Sequence, residues 1–341
     1  MVAFTAKIKK RKHPLHILIL GAAGMVGRKL TDKLIADGRL GNREITRLTL
    51  QDVVAPAKPA TSIPTETVTS DFSDPKAAPA LIAGKPEVIF HLAAIVSGEA
   101  EAEFDKGYRI NLDGTRYLID AIRSVGGGYK PRLVFTSSIA VFGAPFPDKI
   151  GDEFIHTPLT SYGTQKSICE MLIADYTRKG LLDGIGIRLP TICVRPGAPN
   201  KAASGFFSNI IREPLAGKEA ILPVSEDVRH WVASPRSATG FLIHAGSMDL
   251  EAMGPRRNLS MPGMSVTVGE QIAALARVAG KNVVDRIKRE SDPTIVSIVS
   301  GWPRDFDTAR ALKLGFTTDE KSFDDIIRIH IQDELGGKFV D

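Results

Sequence analysis

The sharpest chemical signal in this sequence is a tyrosine followed four residues later by a lysine. Tyr162 and Lys166 lie in the segment Tyr-Gly-Thr-Gln-Lys, and in a helix this spacing places both side chains on one face. An unperturbed tyrosine titrates near pH ~10, and a neighbouring ammonium group favours the phenolate. The pair therefore predicts a general base that takes the proton of a hydroxyl group while the adjacent carbon loses a hydride.

Two serines upstream extend this predicted site. Ser137 and Ser138 follow an apolar run, residues 132–136, that predicts a buried strand. The Ser138 hydroxyl is expected to orient the substrate oxygen beside Tyr162. A tyrosine and a lysine at this spacing often occur by chance, but here they follow both the serines and a glycine-rich turn near the beginning of the chain.

The glycine-rich turn reads Gly21-Ala-Ala-Gly24-Met-Val-Gly27. The apolar run at 16–20 predicts a strand before it, and apolar residues at helical spacing predict a helix over 24–37. In such a unit the first glycine permits the tight turn, the second lets the backbone approach a pyrophosphate, and the third lets the helix pack against the sheet. The helix N-terminus also attracts phosphate groups. The turn therefore predicts a dinucleotide-binding site.

Acidic residues after the next two predicted strands point to the rest of such a cofactor. Asp52 follows the strand predicted at 45–50, where a carboxylate accepts hydrogen bonds from the ribose hydroxyls of NAD and repels the extra phosphate of NADP. We therefore predict NAD as the cofactor. Asp71 and Phe72 follow the strand predicted at 67–69 and could hold the adenine by a hydrogen bond and an apolar contact. A plain loop explains this second pair almost equally well.

The positioning elements alternate between strands and helices. Further strands are predicted at 88–91, 132–136 and 184–189, and helices at 104–125 and 161–178. This alternation predicts right-handed crossovers and a parallel sheet covered on both faces. The fold class is therefore α/β, with a doubly wound Rossmann sheet and a smaller, mixed C-terminal lobe.

Changes in composition suggest where the chain divides. Prolines and glycines become more frequent after Pro196, and the predicted segments become shorter. We therefore predict a basic N-terminal extension over 1–14, an NAD-binding domain over 15–196 and a substrate-binding lobe over 197–341, with an interleaved boundary.

Composition excludes several function classes. Hydrophobic residues make up 43% and charged residues 24% of the 341 residues, as in an ordinary globular protein. The net charge of +5 owes much to a basic run near the N-terminus. This run comprises Lys7, Lys9, Lys10, Arg11 and Lys12. It is interpreted as a solvated terminus rather than a nucleic-acid arm, because no aromatic-rich basic stripe accompanies it.

The remaining composition signals concern cysteines, histidines and apolar runs. Cys169 and Cys193 form no CxxC pattern, which predicts a reducing compartment, and we expect a cytoplasmic protein. The seven histidines form no close ligand pair, so no metal site is predicted. No apolar run reaches the length of about 18 residues that a membrane span needs.

In their order along the chain, these motifs resemble the extended short-chain dehydrogenases, which include the NAD-dependent epimerase/dehydratases of nucleotide sugars. The resemblance covers residues 16–240 and includes the segments HLAA at 91–94, SSIAVFG at 137–143 and RLPT at 188–191. It implies that Ser138 is the catalytic serine, that Tyr162 is the acid/base, and that Lys166 lowers the tyrosine pKa and holds the nicotinamide ribose. The other positions implied to line the cofactor are Met25, Val26, Leu92, Ala93, Asn111, Pro190 and Thr191. Family members often pair through their long helices, which implies a homodimer.

The departures from this family concern the substrate. The segment RHWVASPR at 229–236 lacks the acid that nucleotide-sugar epimerases carry there, and NKAASGFF at 200–207 replaces their asparagine-rich helix start. Both segments resemble a branch that oxidises the C2 hydroxyl of a four-carbon sugar acid to a 2-oxo acid. Lys201 and Arg229 are candidates for binding the substrate carboxylate, although surface charges on the lobe would explain either of them equally well.

The same motifs permit two alternatives to this dehydrogenase. A nucleotide-sugar 4-epimerase would use the same catalytic residues and return the hydride to the opposite face of the sugar. A non-catalytic dinucleotide-binding regulator is disfavoured, because such a protein has no need to keep both Tyr162 and Lys166.

Overall fold

The structure is a computed structural model that describes residues 15–197 and 203–341. The basic run of the N-terminal extension and the candidate ligand Lys201 lie outside these ranges. Within them, no helix is both long enough and apolar enough to cross a membrane.

The strands form one large sheet and two small ones. They are β1 (Leu15–Leu20), β2 (Arg39–Leu40), β3 (Arg43–Asp52), β4 (Thr65–Thr69), β5 (Val88–His91), β6 (Arg132–Ser138), β7 (Asp183–Leu189), β8 (Thr191–Ile192), β9 (Ala220–Leu222), β10 (Arg229–Ala233), β11 (Asn258–Ser260), β12 (Met264–Thr267) and β13 (Ile287–Arg289). The large sheet has the order β11-β7-β6-β5-β1-β3, with β4 paired to β3. All these pairs are parallel, and the short β2 adds an antiparallel pair to the beginning of β3.

This strand order confirms the predicted α/β Rossmann fold class. All six residues of β1 are buried, as expected for a strand covered by helices on both faces. From β1 the sheet continues through β3 to β4 on one side and through β5 and β6 to β7 on the other. The direction of winding therefore reverses between β1 and β5, and in such sheets ligands bind at the carboxyl ends of these two strands.

The helices cover both faces of the sheet and build most of the smaller lobe. They are α1 (Met25–Asp37), α2 (Ala77–Ile82), α3 (Ser97–Ala102), α4 (Phe104–Gly107), α5 (Gly114–Val125), α6 (Ser161–Arg178), α7 (Phe206–Leu215), α8 (Pro235–Ser247), α9 (Val268–Ala279), α10 (Lys281–Val284), α11 (Pro293–Ser300), α12 (Ala309–Lys313) and α13 (Phe323–Glu334).

The helix predicted at 104–125 is not a single regular helix. A π-helical segment, Tyr108–Asp113, separates α4 from α5. Two glycines flank this segment at sites of close packing. A Cβ at Gly107 would lie 2.7 Å from Gln165 Nε2 of α6, and a Cβ at Gly114 would lie 2.7 Å from the Phe72 ring. The backbone conformation of this segment thus depends on contacts with residues that are distant in sequence. The spacing of apolar residues within the segment does not predict those contacts.

The C-terminal part of the chain contributes to both the sheet and the smaller lobe. In the lobe, α7, α9, α10 and α13 pack around one apolar core, beside a small sheet in the order β12-β10-β8 and the pair β13-β9. However, β11 extends the large sheet and α8 packs against α1. The two parts are therefore interleaved, and the division at 196/197 stays a prediction.

Candidate active site

A cavity of 460 Å³ opens at the carboxyl ends of the central strands of the large sheet. It is bounded by the glycine-rich turn after β1, the segments after β5 and β7, the end of β6 and the beginning of α6. Most of the predicted site residues lie on its wall. They are Gly21, Gly24, Met25, Val26, Gly27, Leu92, Ser138, Tyr162, Lys166, Pro190 and Thr191.

The glycine-rich turn has the geometry of a phosphate-binding loop. Gly21 has a φ of +85°, and a Cβ there would lie 2.7 Å from the Ala93 backbone nitrogen. A Cβ at Gly27 would overlap the Gly21 carbonyl oxygen. The helix α1 begins at Met25 without a side-chain cap, so its first N–H groups remain available to an anion.

Asp52 lies at the carboxyl end of β3 and is joined to this turn. Its Oδ2 accepts a hydrogen bond of 2.9 Å from the Ala23 backbone N–H, and its Oδ1 accepts one of 3.3 Å from Val54. The carboxylate thus holds the turn in place, and its remaining lone pairs can accept hydrogen bonds from ribose hydroxyls. The glycine cradle, the uncapped helix and Asp52 together fit NAD, whose nicotinamide ring supplies a hydride acceptor when bound.

Asp71 and Phe72 do not line the cavity. Phe72 is buried, and its ring packs against His91 with the ring centroids 4.9 Å apart. Asp71 accepts hydrogen bonds from the Ser73 backbone N–H at 2.9 Å and from Arg109 at 3.0 Å. In this arrangement the Phe72 ring belongs to the core and has no free face for an adenine.

Asn111 and Ala93 also lie behind the cavity wall. The Asn111 Oδ1 accepts a hydrogen bond of 2.9 Å from the Ile95 backbone N–H, and its Nδ2 donates one of 2.7 Å to Gln165 Oε1. Asn111 therefore ties the segment after β5 to α6 and positions that segment instead of lining the cavity. Ala93 packs against Gly21, while its neighbours Leu92 and Ala94 face the cavity.

Ser138, Tyr162 and Lys166 converge on the same part of the cavity wall. The helix α6 begins at Ser161 because the Thr160 hydroxyl caps it by accepting a hydrogen bond from the Gly163 N–H at 3.1 Å. This places Tyr162 in the first turn. The Lys166 Nζ donates to the Thr136 carbonyl at 2.9 Å and lies 5.6 Å from the centre of the Tyr162 ring. The three predicted catalytic residues are thus brought together by β6 and α6.

The electrostatics of this group differ from the sequence-based expectation. Burial raises the pKa of Tyr162, while the charge of Arg195 and a hydrogen bond with Ser138 act in the opposite direction. Burial lowers the pKa of Lys166 to about 8. Because the Lys166 ammonium is directed at the Thr136 carbonyl, Arg195 is the cationic side chain that opposes the effect of burial on Tyr162.

Arg229 does not reach the cavity. It begins β10, and its Nη1 donates a hydrogen bond of 3.0 Å to the Ser265 carbonyl. The same atom lies 3.5 Å from Glu270 Oε2. The guanidinium therefore faces the beginning of α9, and the proposed contact with a substrate carboxylate is not made from this position.

Two side chains that sequence reasoning missed, Arg195 and His230, line the cavity. His230 is buried, and its Nε2 lies 2.7 Å from the Thr191 hydroxyl. Its Nδ1 lies 3.0 Å from the Pro303 carbonyl, which can only accept, so Nδ1 carries the proton and Nε2 accepts from Thr191. Burial lowers the pKa of His230 to about 4, so the ring is neutral near pH 7. The sequence signal for Arg195 is the segment Val-Arg-Pro-Gly, which begins three residues after the predicted cofactor residue Thr191.

Replacing Asp52 with alanine is expected to reduce the preference for NAD over NADP. The wild-type carboxylate repels the extra phosphate of NADP, whereas alanine removes the repulsion together with a hydrogen bond to the turn. The measurement is kcat/KM with each cofactor for both proteins. An Asp37→Ala variant, altered at the far end of α1, serves as a control. A wild-type enzyme that prefers NADP would contradict this role of Asp52.

Comparisons with known proteins agree with this geometry. Residues 17–244 match the NAD dependent epimerase/dehydratase family. The chain is 45% identical to the D-erythronate dehydrogenase of Cupriavidus necator over 94% of this chain and 98% of that protein. It is 40% identical to the D-erythronate dehydrogenase of Haemophilus influenzae over 94% of this chain and all of that protein.

A solved structure extends the comparison to the whole fold. The crystal structure of a protein described as the nucleoside-diphosphate-sugar epimerase from Agrobacterium tumefaciens superimposes with a TM-score of 0.93. That protein is 63% identical, and the match covers 96% of both chains. These similarities confirm NAD as the cofactor and an oxidoreductase of the dehydrogenase type. The chain belongs to the NAD-dependent epimerase/dehydratase family.

Proposed function

We propose that this enzyme oxidises the C2 hydroxyl of a small sugar acid, D-erythronate or a close analogue, to the 2-oxo acid. The observation that carries the proposal is the convergence of Ser138, Tyr162 and Lys166 with the glycine-rich turn on one cavity. The similarity to two D-erythronate dehydrogenases over almost the whole chain supports this substrate.

Tyr162 acts as the general base in this proposal. Its phenolate takes the proton of the C2 hydroxyl, the oxygen forms a double bond to C2, and the C2–H bond breaks with its electron pair leaving as hydride. Ser138 is suited to orient the reacting oxygen. Its Oγ accepts a hydrogen bond of 3.1 Å from the Ala140 N–H, so its proton points to an oxygen on the cavity side, which is the Tyr162 hydroxyl in this structure and the substrate oxygen in the proposed complex. The products are the 2-oxo acid, reduced cofactor and protonated Tyr162.

Lys166 has a positioning role beside the tyrosine. Its Nζ is held by the Thr136 carbonyl and lies 4.6 Å from the centre of the Phe135 ring. An ammonium group has three donors, and only one is used by Thr136. We assign the others to the hydroxyls of the nicotinamide ribose, as the family resemblance implies.

A nucleotide-sugar 4-epimerase is the alternative, and the description of the 63% identical Agrobacterium protein favours it. The similarity to two D-erythronate dehydrogenases, each over almost the whole of both chains, favours the dehydrogenase.

Deuterium at C2 of D-erythronate tests which carbon is oxidised. We expect the label to appear in the reduced cofactor and to slow turnover whenever hydride transfer limits the rate. Substrate labelled at C3 is the control and should keep its deuterium in the product. Transfer of the C3 label to the cofactor would show that C3 is oxidised instead of C2, and our proposal would be wrong.

We propose a homodimer that packs the α4–α5 region and α6 against a second copy. Phe104 at the beginning of α4 is 57% exposed, and Met171 on α6 is 63% exposed, although both are large apolar side chains. Phe104 also contacts the ring of Tyr108, with the centroids 4.7 Å apart, so the apolar surface extends along the helix. Burial of such side chains is a typical basis for association.

Replacing Met171 with glutamate is therefore expected to convert the dimer to a monomer at micromolar concentration. Sedimentation or light scattering gives the mass, and Leu312→Glu is the control, because Leu312 is 53% exposed on the unrelated helix α12. A wild-type protein that is already monomeric would contradict the proposal.

We also propose a cytoplasmic location. Cys169 and Cys193 are free and buried, and burial raises the pKa values of their thiols to about 11 and about 12. The fold of the described residues thus uses neither cysteine in a disulfide, which suits a reducing compartment.

A further inference from the structure

An arginine without an anionic partner lines the cavity beside the proposed catalytic group. Arg195 follows β8 and is partly buried on the cavity wall. Within the described ranges, no carboxylate lies within 4.0 Å of its guanidinium, whereas the buried Arg188 is paired with Glu170. Even a partly desolvated cation is stabilised by an anionic partner. An anionic ligand in the cavity would supply one.

The backbone and side chain of Arg195 are held in place by hydrogen bonds, none of which involves a carboxylate. Its backbone N–H donates to Ser208 Oγ at 3.0 Å, and its carbonyl accepts from Arg212 Nη1 at 2.7 Å. In the side chain, Nε donates to the Ile192 carbonyl at 3.2 Å and Nη2 donates to Ser204 Oγ at 3.3 Å. Three of the five guanidinium N–H groups are not used by the described residues. The Arg195 guanidinium is therefore held in a fixed position and still has N–H groups that can donate to a ligand.

The other cationic candidates are less suitable. Arg229 is engaged by Ser265 and Glu270 outside the cavity. Lys166 lines the cavity, but its ammonium is held by the Thr136 carbonyl, and we assign its other donors to the nicotinamide ribose. Of the described residues on the cavity wall, Arg195 is thus the remaining permanently charged cation.

We propose that Arg195 binds the substrate carboxylate and thereby selects the adjacent C2 hydroxyl for oxidation. This inference rests on the proposed function and identifies the recognised class as 2-hydroxy acids. A guanidinium binds a carboxylate through two parallel hydrogen bonds, which fixes orientation as well as position. Arg195 and Tyr162 line the same cavity, so one small substrate can contact both groups. Because C2 is bonded directly to the carboxylate carbon, its hydroxyl is the one that reaches the tyrosine.

The test compares D-erythronate with its neutral amide, D-erythronamide, in wild type, Arg195→Met, Arg195→Lys and Arg229→Met. A charge-assisted hydrogen bond contributes enough to expect a preference for the acid of about 10²-fold in kcat/KM. We expect Arg195→Met to abolish this preference and Arg195→Lys to keep part of it, because lysine retains the charge but not the fork. Arg229→Met should keep the full preference.

The ratio of acid to amide is taken within each variant at the pH of its maximal rate, so that any effect on Tyr162 cancels. Unchanged NAD affinity shows that each variant is folded. If the wild type prefers the acid and Arg195→Met retains that preference, Arg195 does not bind the substrate carboxylate, whereas the proposed function is unaffected. If the wild type oxidises neither compound, the proposed function itself fails.

A second readout is the pH profile of amide oxidation, which should move to higher pH in Arg195→Met, because the charge that opposes the raised Tyr162 pKa is lost.

Discussion

Replacing Tyr162 with phenylalanine is expected to lower kcat by about 10²–10⁴-fold, the range typical of losing a general base. The substitution removes only the hydroxyl and keeps the ring, so the cavity wall is preserved. NAD affinity should be unchanged, because the glycine-rich turn and Asp52 are not altered. The measurements are kcat with D-erythronate and NAD affinity by titration.

Two further variants test whether Tyr162 and Lys166 act as a unit. Lys166→Met should lower kcat and also weaken NAD binding, because we assign its ammonium to both tasks. The double variant should be little worse than the more damaged single variant, since residues that act as a unit are not additive. Tyr176→Phe is the matched control: this tyrosine lies on the same helix, but its hydroxyl donates to Asp120 away from the cavity. Near wild-type turnover in Tyr162→Phe would overturn the mechanism.

The wild-type rate of oxidation is also expected to depend on pH in a defined direction. Burial raises the pKa of Tyr162, so the phenolate is scarce at low pH and its fraction increases as pH rises. Oxidation should therefore accelerate with increasing pH.

Replacing Glu170 with glutamine is expected to lower the free energy of unfolding by about 3 kcal/mol, the lower end of the range for breaking a buried ion pair, because Arg188 loses its nearer carboxylate and keeps, among the described residues, only Asp152 at 4.0 Å. Glu170 is fully buried behind the catalytic group, and its carboxylate accepts hydrogen bonds from Arg188 at 2.8 and 3.0 Å. It also accepts a hydrogen bond from Ser137, the neighbour of the proposed catalytic Ser138. The Glu170→Gln substitution should therefore destabilise the packing between α6, β6 and β7 next to the active site.

Urea unfolding of the two proteins measures this difference. Asp175→Asn is the matched control, because Asp175 pairs with Arg178 on the same helix, and both side chains of that pair are exposed. Exposed pairs contribute about 0–1 kcal/mol, so this control should unfold almost like the wild type. Equal effects of the two substitutions would show that the buried ion pair does not stabilise the fold as described.

The parts of the fold that were predicted from sequence are those with a strong local pattern. The predicted strand at 88–91 and the helix at 161–178 have the bounds observed in β5 and α6. The buried apolar strands and the helical spacing after the glycine-rich turn also specified the parallel sheet. The carboxyl ends of parallel strands lie at the same edge of a sheet. The order of motifs along the chain was therefore enough to predict that the glycine-rich turn, Ser138 and Tyr162 lie in one site.

The parts that were not predicted depend on contacts between distant segments. Nothing local to Asn111 indicates that its side chain joins Ile95 to Gln165, or that a π-helical segment accompanies this contact. The same holds for the cation near the substrate. Arg229 begins one short strand and Arg195 follows another, and only the packing shows that the first contacts Glu270 while the second lines the cavity.

We expect this family member to oxidise a free sugar acid and not to interconvert nucleotide sugars. The most direct test incubates the purified enzyme with NAD and either D-erythronate or UDP-glucose, and follows both the absorbance of reduced NAD and the identity of the sugar products. We expect one equivalent of reduced cofactor for each D-erythronate consumed and no change with UDP-glucose. Conversion of the nucleotide sugar to its 4-epimer without net cofactor reduction, together with no reaction of the acid, would contradict the claim.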